Sequence, residues 1–172
     1  MRRHILLVGL PGCGKTTVGR LVAERLGTGL VDSDLIIVRK MQMPIARIFG
    51  VHGEARFREL ERETMAHALE GPPSVLAPGG GWAVQPGQME QAKTNSYVVY
   101  LKTMAMTASK RSTIESTRPM LVGEDPAGLM RDLLKEREAT YMLADAEVKN
   151  DTKTPEAAAD EIVALAKQYA GW

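Results

Sequence analysis

The eight residues Gly9-Leu10-Pro11-Gly12-Cys13-Gly14-Lys15-Thr16 constrain this chain more than any others. They have the pattern of a phosphate-binding P-loop, Gly-x-x-x-x-Gly-Lys-Thr. They follow the strand-like run His4-Ile5-Leu6-Leu7-Val8. After them Val18, Leu21, Val22 and Leu26 recur at helical spacing. Strand, glycine loop and amphipathic helix form the setting in which such a loop works. The glycines let the backbone close around a polyphosphate with its N–H groups pointing inward. Lys15 brings a mobile positive charge to the β- and γ-phosphates, and the Thr16 hydroxyl is suited to ligate Mg²⁺. The helix that follows aims its N-terminal dipole at the anion. Nucleotide contacts are therefore expected from Gly12, Cys13, Gly14, Lys15, Thr16 and Thr17.

Four further apolar runs read as strands: Gly29–Asp32, Ser74–Ala77, Tyr97–Leu101 and Ala146–Val148. Between them the spacing predicts helices over Leu35–Met41, Gly53–Leu69 and Thr103–Ser112. Two more open at Asp125-Pro126 and Thr154-Pro155, where a capping side chain precedes a proline at the first helical position. Strands separated by helices predict an α/β three-layer sandwich with a central parallel five-stranded sheet. Ligands in such folds sit at the carboxyl ends of the strands. A length of 172 residues fits one domain spanning 1–172. The segment 114–124 lacks periodicity and is expected to be a mobile loop.

Bulk properties exclude several classes. Basic and acidic residues nearly balance, 22 against 21, which argues against a broad surface for nucleic acid or anionic membrane. No apolar run approaches the roughly 20 residues needed to span a bilayer. A single cysteine excludes an internal disulfide and fits a reducing compartment. Met1-Arg2-Arg3 leads straight into the first strand, so no signal peptide is expected and the expected location is cytoplasmic. The three histidines have no metal-ligand spacing, and the ten methionines are scattered as core fillers.

The residues that choose among P-loop proteins lie downstream. In Asp32-Ser33-Asp34 residues i and i+2 of a strand share a face, so both carboxylates can serve one site. One can hold Mg²⁺ or its water shell and the other can accept a hydroxyl proton. The plainer reading is a helix cap at Ser33 or Asp34. Arg58 and Glu61 are i and i+3 on a helix, so the carboxylate can fix the guanidinium as a receptor for another carboxylate; the plainer reading is a solvated surface pair. Gly79-Gly80-Gly81 at a strand's carboxyl end allows a ligand to approach the backbone closely. Trp82 follows directly, either on the pocket rim or packed against a neighbouring loop.

These pieces together resemble the shikimate kinase family of small P-loop kinases. The resemblance covers essentially the whole chain. It rests on the P-loop at 9–16, Asp32-x-Asp34, Gly53-Glu54-x-x-Phe57-Arg58-x-x-Glu61, Gly79-Gly80-Gly81, Arg118-Pro119 and Arg137-x-x-x-Tyr141. It implies ATP and shikimate as substrates, Mg²⁺ as cofactor and a monomer without nucleic-acid or membrane partners. Asp34 would bind the substrate hydroxyls and act as, or near, the catalytic base. Arg58 and Arg137 would grip the shikimate carboxylate, and the Gly79, Gly80 and Gly81 backbone would contact the ring hydroxyls. Phe49 and Phe57 would wall the pocket. Within a substrate-binding region at about 33–62 and a lid at about 114–124, Arg118 would reach the ATP phosphates beside Lys15. Thr16 and Asp32 would support Mg²⁺, and Lys153 would lie near adenine. Three alternatives remain at this stage: another sugar-acid kinase of gluconate kinase type, a nucleotide-dependent switch, and a nucleoside-monophosphate kinase.

Overall fold

The structure, a computed structural model, describes residues 1–115 and 125–172. The chain runs β1 (His4–Val8), α1 (Lys15–Leu26), β2 (Leu30–Asp32), α2 (Ser33–Met41), α3 (Ile45–Glu70) and β3 (Val75–Ala77). It continues through α4 (Gln88–Lys93), β4 (Ser96–Lys102), α5 (Ala105–Glu115), α6 (Pro126–Tyr141), β5 (Ala146–Lys149) and α7 (Pro155–Tyr169). The strands form one five-stranded sheet in the order β2-β3-β1-β4-β5, and each neighbouring pair is parallel. This is the sandwich expected from the alternating pattern.

Strand β1 lies at the centre, and all its residues are buried. A strand covered on both faces reads as a continuous apolar run, as Ile5-Leu6-Leu7-Val8 does. From β1 the chain moves to one side of the sheet, to β2; from β3 it crosses β1 to reach β4 on the other side. The connections leaving the neighbours β1 and β3 therefore diverge. Such a divergence opens a crevice at the carboxyl ends of the two strands. The P-loop and the triple glycine are the segments that leave those ends.

The main core joins the sheet to α1, α7 and Met65 and Leu69 at the end of α3. A second, smaller core of Ile37, Ile45, Ile48, Phe57 and Leu60 holds α2 against the first part of α3. Helix α3 starts at Ile45, earlier than its pattern suggested. Ile45 and Ile48, at i and i+3, supply the extra turn that the small core buries. Gly53 breaks the helix with φ 81° and ψ 165°, a conformation open to glycine and strained for other residues. Helix α4 has no strong periodic signal; only Met89 and Ala92 on its short face are buried. Both proline-led helix starts are capped: Asp125 accepts from Gly128 N at 2.9 Å, and Thr154 accepts from Ala157 N at 3.2 Å. Among the described residues no helix is long and apolar enough to cross a membrane.

Candidate active site

A cleft of about 250 Å³ opens over the carboxyl ends of the sheet. Its floor is the P-loop (Gly12, Gly14, Lys15, Thr16). One wall carries Asp32, Asp34, Pro78 and Gly79; the other carries Arg111, Asn150 and Pro155. Gly14 is the N-cap of α1 and sits at φ 98°, with no side chain capping the helix. The first N–H groups of α1 therefore face the cleft without a side-chain partner, which is how a helix start receives an anion. The Lys15 ammonium is folded over the loop. It donates to the carbonyls of Gly9 at 2.8 Å and Leu10 at 2.9 Å.

Asp32 does two jobs. Its Oδ2 accepts from Thr16 Oγ1 at 2.5 Å, and its Oδ1 accepts from Leu35 N at 3.1 Å. The capping residue of α2 is thus Asp32, not Ser33 or Asp34. The alternation argument for the Asp-x-Asp pair does not apply, because α2 already begins at Ser33. Both carboxylates nevertheless line the cleft, Asp32 from the strand end and Asp34 from the first helical turn. Ser33 accepts instead from Gly79 N at 3.2 Å, which fastens the triple-glycine segment to α2.

The glycines of that segment have a physical reason, and it is not a left-handed backbone: none of Gly79, Gly80 and Gly81 has positive φ. A Cβ on Gly80 would lie 2.7 Å from Pro11 Cδ, so this residue packs directly against the P-loop. A Cβ on Gly81 would lie 2.6 Å from Arg58 Nη1, so the guanidinium rests on the backbone there. Arg58 Nη1 donates to Glu61 Oε2 at 2.9 Å, and Glu61 is fully buried. Gln85 Nε2 donates to the same oxygen at 3.1 Å, while Gln85 Oε1 accepts from Arg62 at 2.7 Å. The pair is therefore a locked element rather than a solvated surface pair.

On the far side Tyr141 OH donates to Gly80 O at 2.5 Å and docks α6 onto the segment. Arg137 lies one turn before it on the same helical face. It is 6% exposed, and its Nη1 has no hydrogen-bond partner among the described residues. The Phe49 and Phe57 rings touch with centroids 4.8 Å apart, closing the small core next to Arg58.

Comparison with known proteins decides the family. The family model for shikimate kinase matches residues 11–167. The chain belongs to the shikimate kinase family. A shikimate kinase of Thermobifida fusca is 43% identical over 158 residues, covering 91% of each chain. One from Moorella thermoacetica is 36% identical over 169 residues, covering 98% of this chain and 97% of the relative. The structure of a shikimate kinase from Acinetobacter baumannii in complex with shikimate superposes with a TM-score of 0.92 at 36% identity, covering 98% of this chain and 94% of that one. A gluconokinase from Sinorhizobium meliloti reaches a TM-score of 0.66 at 15% identity, a likeness of fold alone. The family read from the motifs is the family found, and the gluconate kinase alternative gains no support.

Not every residue expected from the shikimate kinase pattern comes to the cleft. Gly80, Gly81, Arg58 and Arg137 lie beyond Gly79 outside the cleft lining, and Lys153, also outside it, pairs with Glu161. Arg118 and most of the expected lid lie outside the described residues; positions 114 and 115 are the last turn of α5. Trp82 is fully buried in the main core rather than on a pocket rim. Conversely Arg111, Asn150 and Pro155 line the cleft with no motif to mark them, and Gln85 braces Glu61 behind Arg58. Arg111 sits inside a helix, Asn150 just past a strand, and Pro155 at a helix start. Each has an ordinary local reading, and only the strand order brings them opposite the P-loop.

Proposed function

We propose that this chain transfers the γ-phosphoryl group of ATP to the 3-hydroxyl of shikimate, giving shikimate 3-phosphate and ADP, as a step toward chorismate and the aromatic amino acids. One observation carries the reading. An arginine fixed by a buried carboxylate lies on Gly81, next to Gly80, which packs on the P-loop. An anion receptor is thereby built one residue away from a phosphate-binding loop.

In this reading Arg58 and Arg137 hold the acceptor carboxylate. Arg137 is nearly buried with an unpartnered N–H, a costly state that an anionic ligand relieves. Charge-assisted hydrogen bonds contribute roughly 1.5–3 kcal/mol each, so two arginines favour an acid over a neutral polyol by a hundredfold or more. The backbone of Gly79, Gly80 and Gly81 and the Asp34 carboxylate orient the ring hydroxyls. Asp34 accepts the proton of the attacking hydroxyl. Lys15 exchanges its carbonyl partners for β- and γ-phosphate oxygens, which its flexible stem permits. Arg118, outside the described residues, would add a second cation on the same phosphates in this reading. Arg111 and Pro155 line the same wall and offer the base a flat guanidinium and an apolar ring.

Mg²⁺ fits the residues present. Thr16 and Asp32 place two oxygens on the cleft within one hydrogen bond of each other, and among the described residues no cluster of His, Cys, Asp and Glu forms a separate cage. That suits an ion held mainly by substrate phosphates and water. When bound it neutralises charge on the phosphate oxygens. The reading is completed by a cytoplasmic monomer acting on small molecules; the near balance of charge supports the absence of nucleic-acid and anionic-membrane partners.

The test is an acceptor panel with ADP release as the readout. Shikimate is expected to drive magnesium-dependent turnover while gluconate and neutral cyclic polyols do not. Turnover with gluconate and none with shikimate overturns the proposal.

A further inference from the structure

We propose that Asn150 is a positioning residue for the P-loop: it holds the Cys13 carbonyl away from the cleft and so aims the Gly14 N–H at the bound polyphosphate. The inference rests on the reading of the cleft as a nucleoside triphosphate site. It does not depend on the identity of the acceptor.

Asn150 follows β5 directly, and its backbone is fastened to the sheet by Asn150 N donating to Lys102 O at 2.9 Å. Its side chain is 2% exposed and lies on the cleft wall. Nδ2 donates to the Cys13 carbonyl at 2.8 Å. The same carbonyl oxygen receives Thr103 Oγ1 at 3.4 Å and Arg111 Nη1 at 3.5 Å. Arg111 Nη2 in turn donates to Asn150 O at 3.0 Å, which ties the two side chains to each other. A Cβ on Gly14 would lie 2.7 Å from Asn150 Nδ2, so the amide fills the space that the missing side chain leaves. The orientation of the amide follows from its partner, because a carbonyl accepts and the group facing it must be the donor.

The consequence follows from the geometry of a trans peptide. C=O and N–H of one trans peptide unit point in opposite directions, and among the described residues no peptide bond is cis. Three donors drawing Cys13 C=O to one side direct Gly14 N–H to the other, toward the cleft. The device is needed at this peptide. Gly14 at φ 98° has no side chain to resist a flip of the peptide plane, and the flipped plane would present a carbonyl to the phosphate. Asn150 Oδ1 is buried and has no hydrogen-bond partner among the described residues.

The experiment compares MgATP with inorganic tripolyphosphate, which has the phosphates and no base. Calorimetric affinities for both are measured on the wild type, Asn150→Leu and Asn150→Asp, with the shikimate KM as control. Asn150→Leu is expected to weaken both ligands by the same factor, roughly five- to tenfold for one buried hydrogen bond, with the shikimate KM within about twofold. Asn150→Asp, which sets a carboxylate against the carbonyl, is expected to weaken both further. If Asn150→Leu weakens ATP and leaves tripolyphosphate unchanged, the residue serves the base and the proposal is wrong; no change in either ligand overturns it as well. Should Asn150→Leu fail to fold, Thr103→Val removes another donor from the same carbonyl and must show a smaller, equal weakening of both ligands. Failure of the wild type to use shikimate would sink the proposed reaction and leave this comparison intact.

Discussion

Gly81→Ala separates the acceptor half of the site from the nucleotide half. Gly81 is not among the residues with positive φ, so alanine suits its backbone. The new Cβ would stand 2.6 Å from Arg58 Nη1 and 2.7 Å from its Cζ and Nη2. Ordinary contact begins near 3.4 Å, so the guanidinium must retreat by about 0.8 Å, the difference between the two distances. The atoms it meets are the far end of a flexible side chain, which can move at small cost to the fold. Arg58 loses its seat against Glu61 and its aim at the acceptor. One misdirected charge-assisted hydrogen bond costs about 1.5–3 kcal/mol, which is roughly a 10- to 150-fold rise in shikimate KM. The ATP KM is expected to stay within about twofold and the melting temperature to move by only a few degrees. Steady-state ADP release at saturating ATP, with a thermal melt beside it, reads all three. Gly80→Ala supplies the contrast, since its Cβ would meet Pro11 Cδ at 2.7 Å and Pro11 N at 3.0 Å. Backbone cannot withdraw as a side chain does, so this variant should lose both KM values or fold poorly. An unchanged shikimate KM in Gly81→Ala, or a parallel rise in the ATP KM, refutes the view that Gly81 is glycine in order to seat Arg58.

Three other outcomes are expected. Asp34→Asn should lower turnover by roughly 10²–10⁴-fold, the usual worth of a general base, with ATP affinity preserved by calorimetry; near-normal turnover removes Asp34 from the proton transfer. Asp32→Asn should weaken Mg²⁺ dependence by about 10–100-fold, the typical loss for a residue orienting a metal ligand, seen as a higher magnesium requirement in turnover; an unaltered requirement contradicts its link to Thr16. His4 should make stability pH-dependent. Burial lowers its pKa below 6.5, against opposing backbone contacts from Leu69 and Ser74, and its Nδ1 accepts from Ser74 N at 3.2 Å. The unfolded chain therefore binds more protons than the folded one just below pH 6.5. The His4 contribution is complete above pH 6.5 and is lost as pH falls from there through the lowered folded value. His4→Asn, which keeps an acceptor without the titration, should flatten the fall in urea-unfolding stability as pH drops below 6.5; equal slopes in both proteins would count against the assignment.

What the sequence revealed and what it hid divide along a physical line. The P-loop, the strand alternation and the proline-led helix starts were legible because each is a local preference of neighbouring residues. The cap of α2 was misplaced by one or two positions because Asp32, Ser33 and Asp34 are all good caps. Only the reach of Thr16 from another segment shows which of them closes the strand. The triple glycine was read as room for a ligand. In the structure two of its three positions are instead filled by the protein itself, Gly80 by Pro11 and Gly81 by Arg58. Gln85 was invisible because its bond to Glu61 spans 24 residues and forms only when the segment after β3 folds back over α3. Lys153, which the family resemblance set near adenine, pairs with Glu161 on the neighbouring helix.

The two halves of the site are coupled by direct contacts rather than merely adjacent. Because β3 pairs with β1, the glycine segment and the P-loop leave the sheet side by side. Three links then join them: Pro11 on Gly80, Ser33 to Gly79 N, and Asp32 between Thr16 and the first turn of α2. In the proposed reaction Asp32 is the point at which the phosphate side and the acceptor side share one carboxylate. Its Oδ2 orients the Thr16 hydroxyl on the phosphate side, and its Oδ1 holds the helix that carries Asp34 on the acceptor side. Phosphoryl transfer depends mainly on holding donor and acceptor in line. A carboxylate bonded to both halves fixes that relation without a moving part. Asp34→Asn should therefore leave the geometry intact and remove the proton acceptor, whereas Asp32→Asn disturbs the alignment of the two halves. The first loss should appear in turnover alone; the second should appear in magnesium dependence and in shikimate KM together.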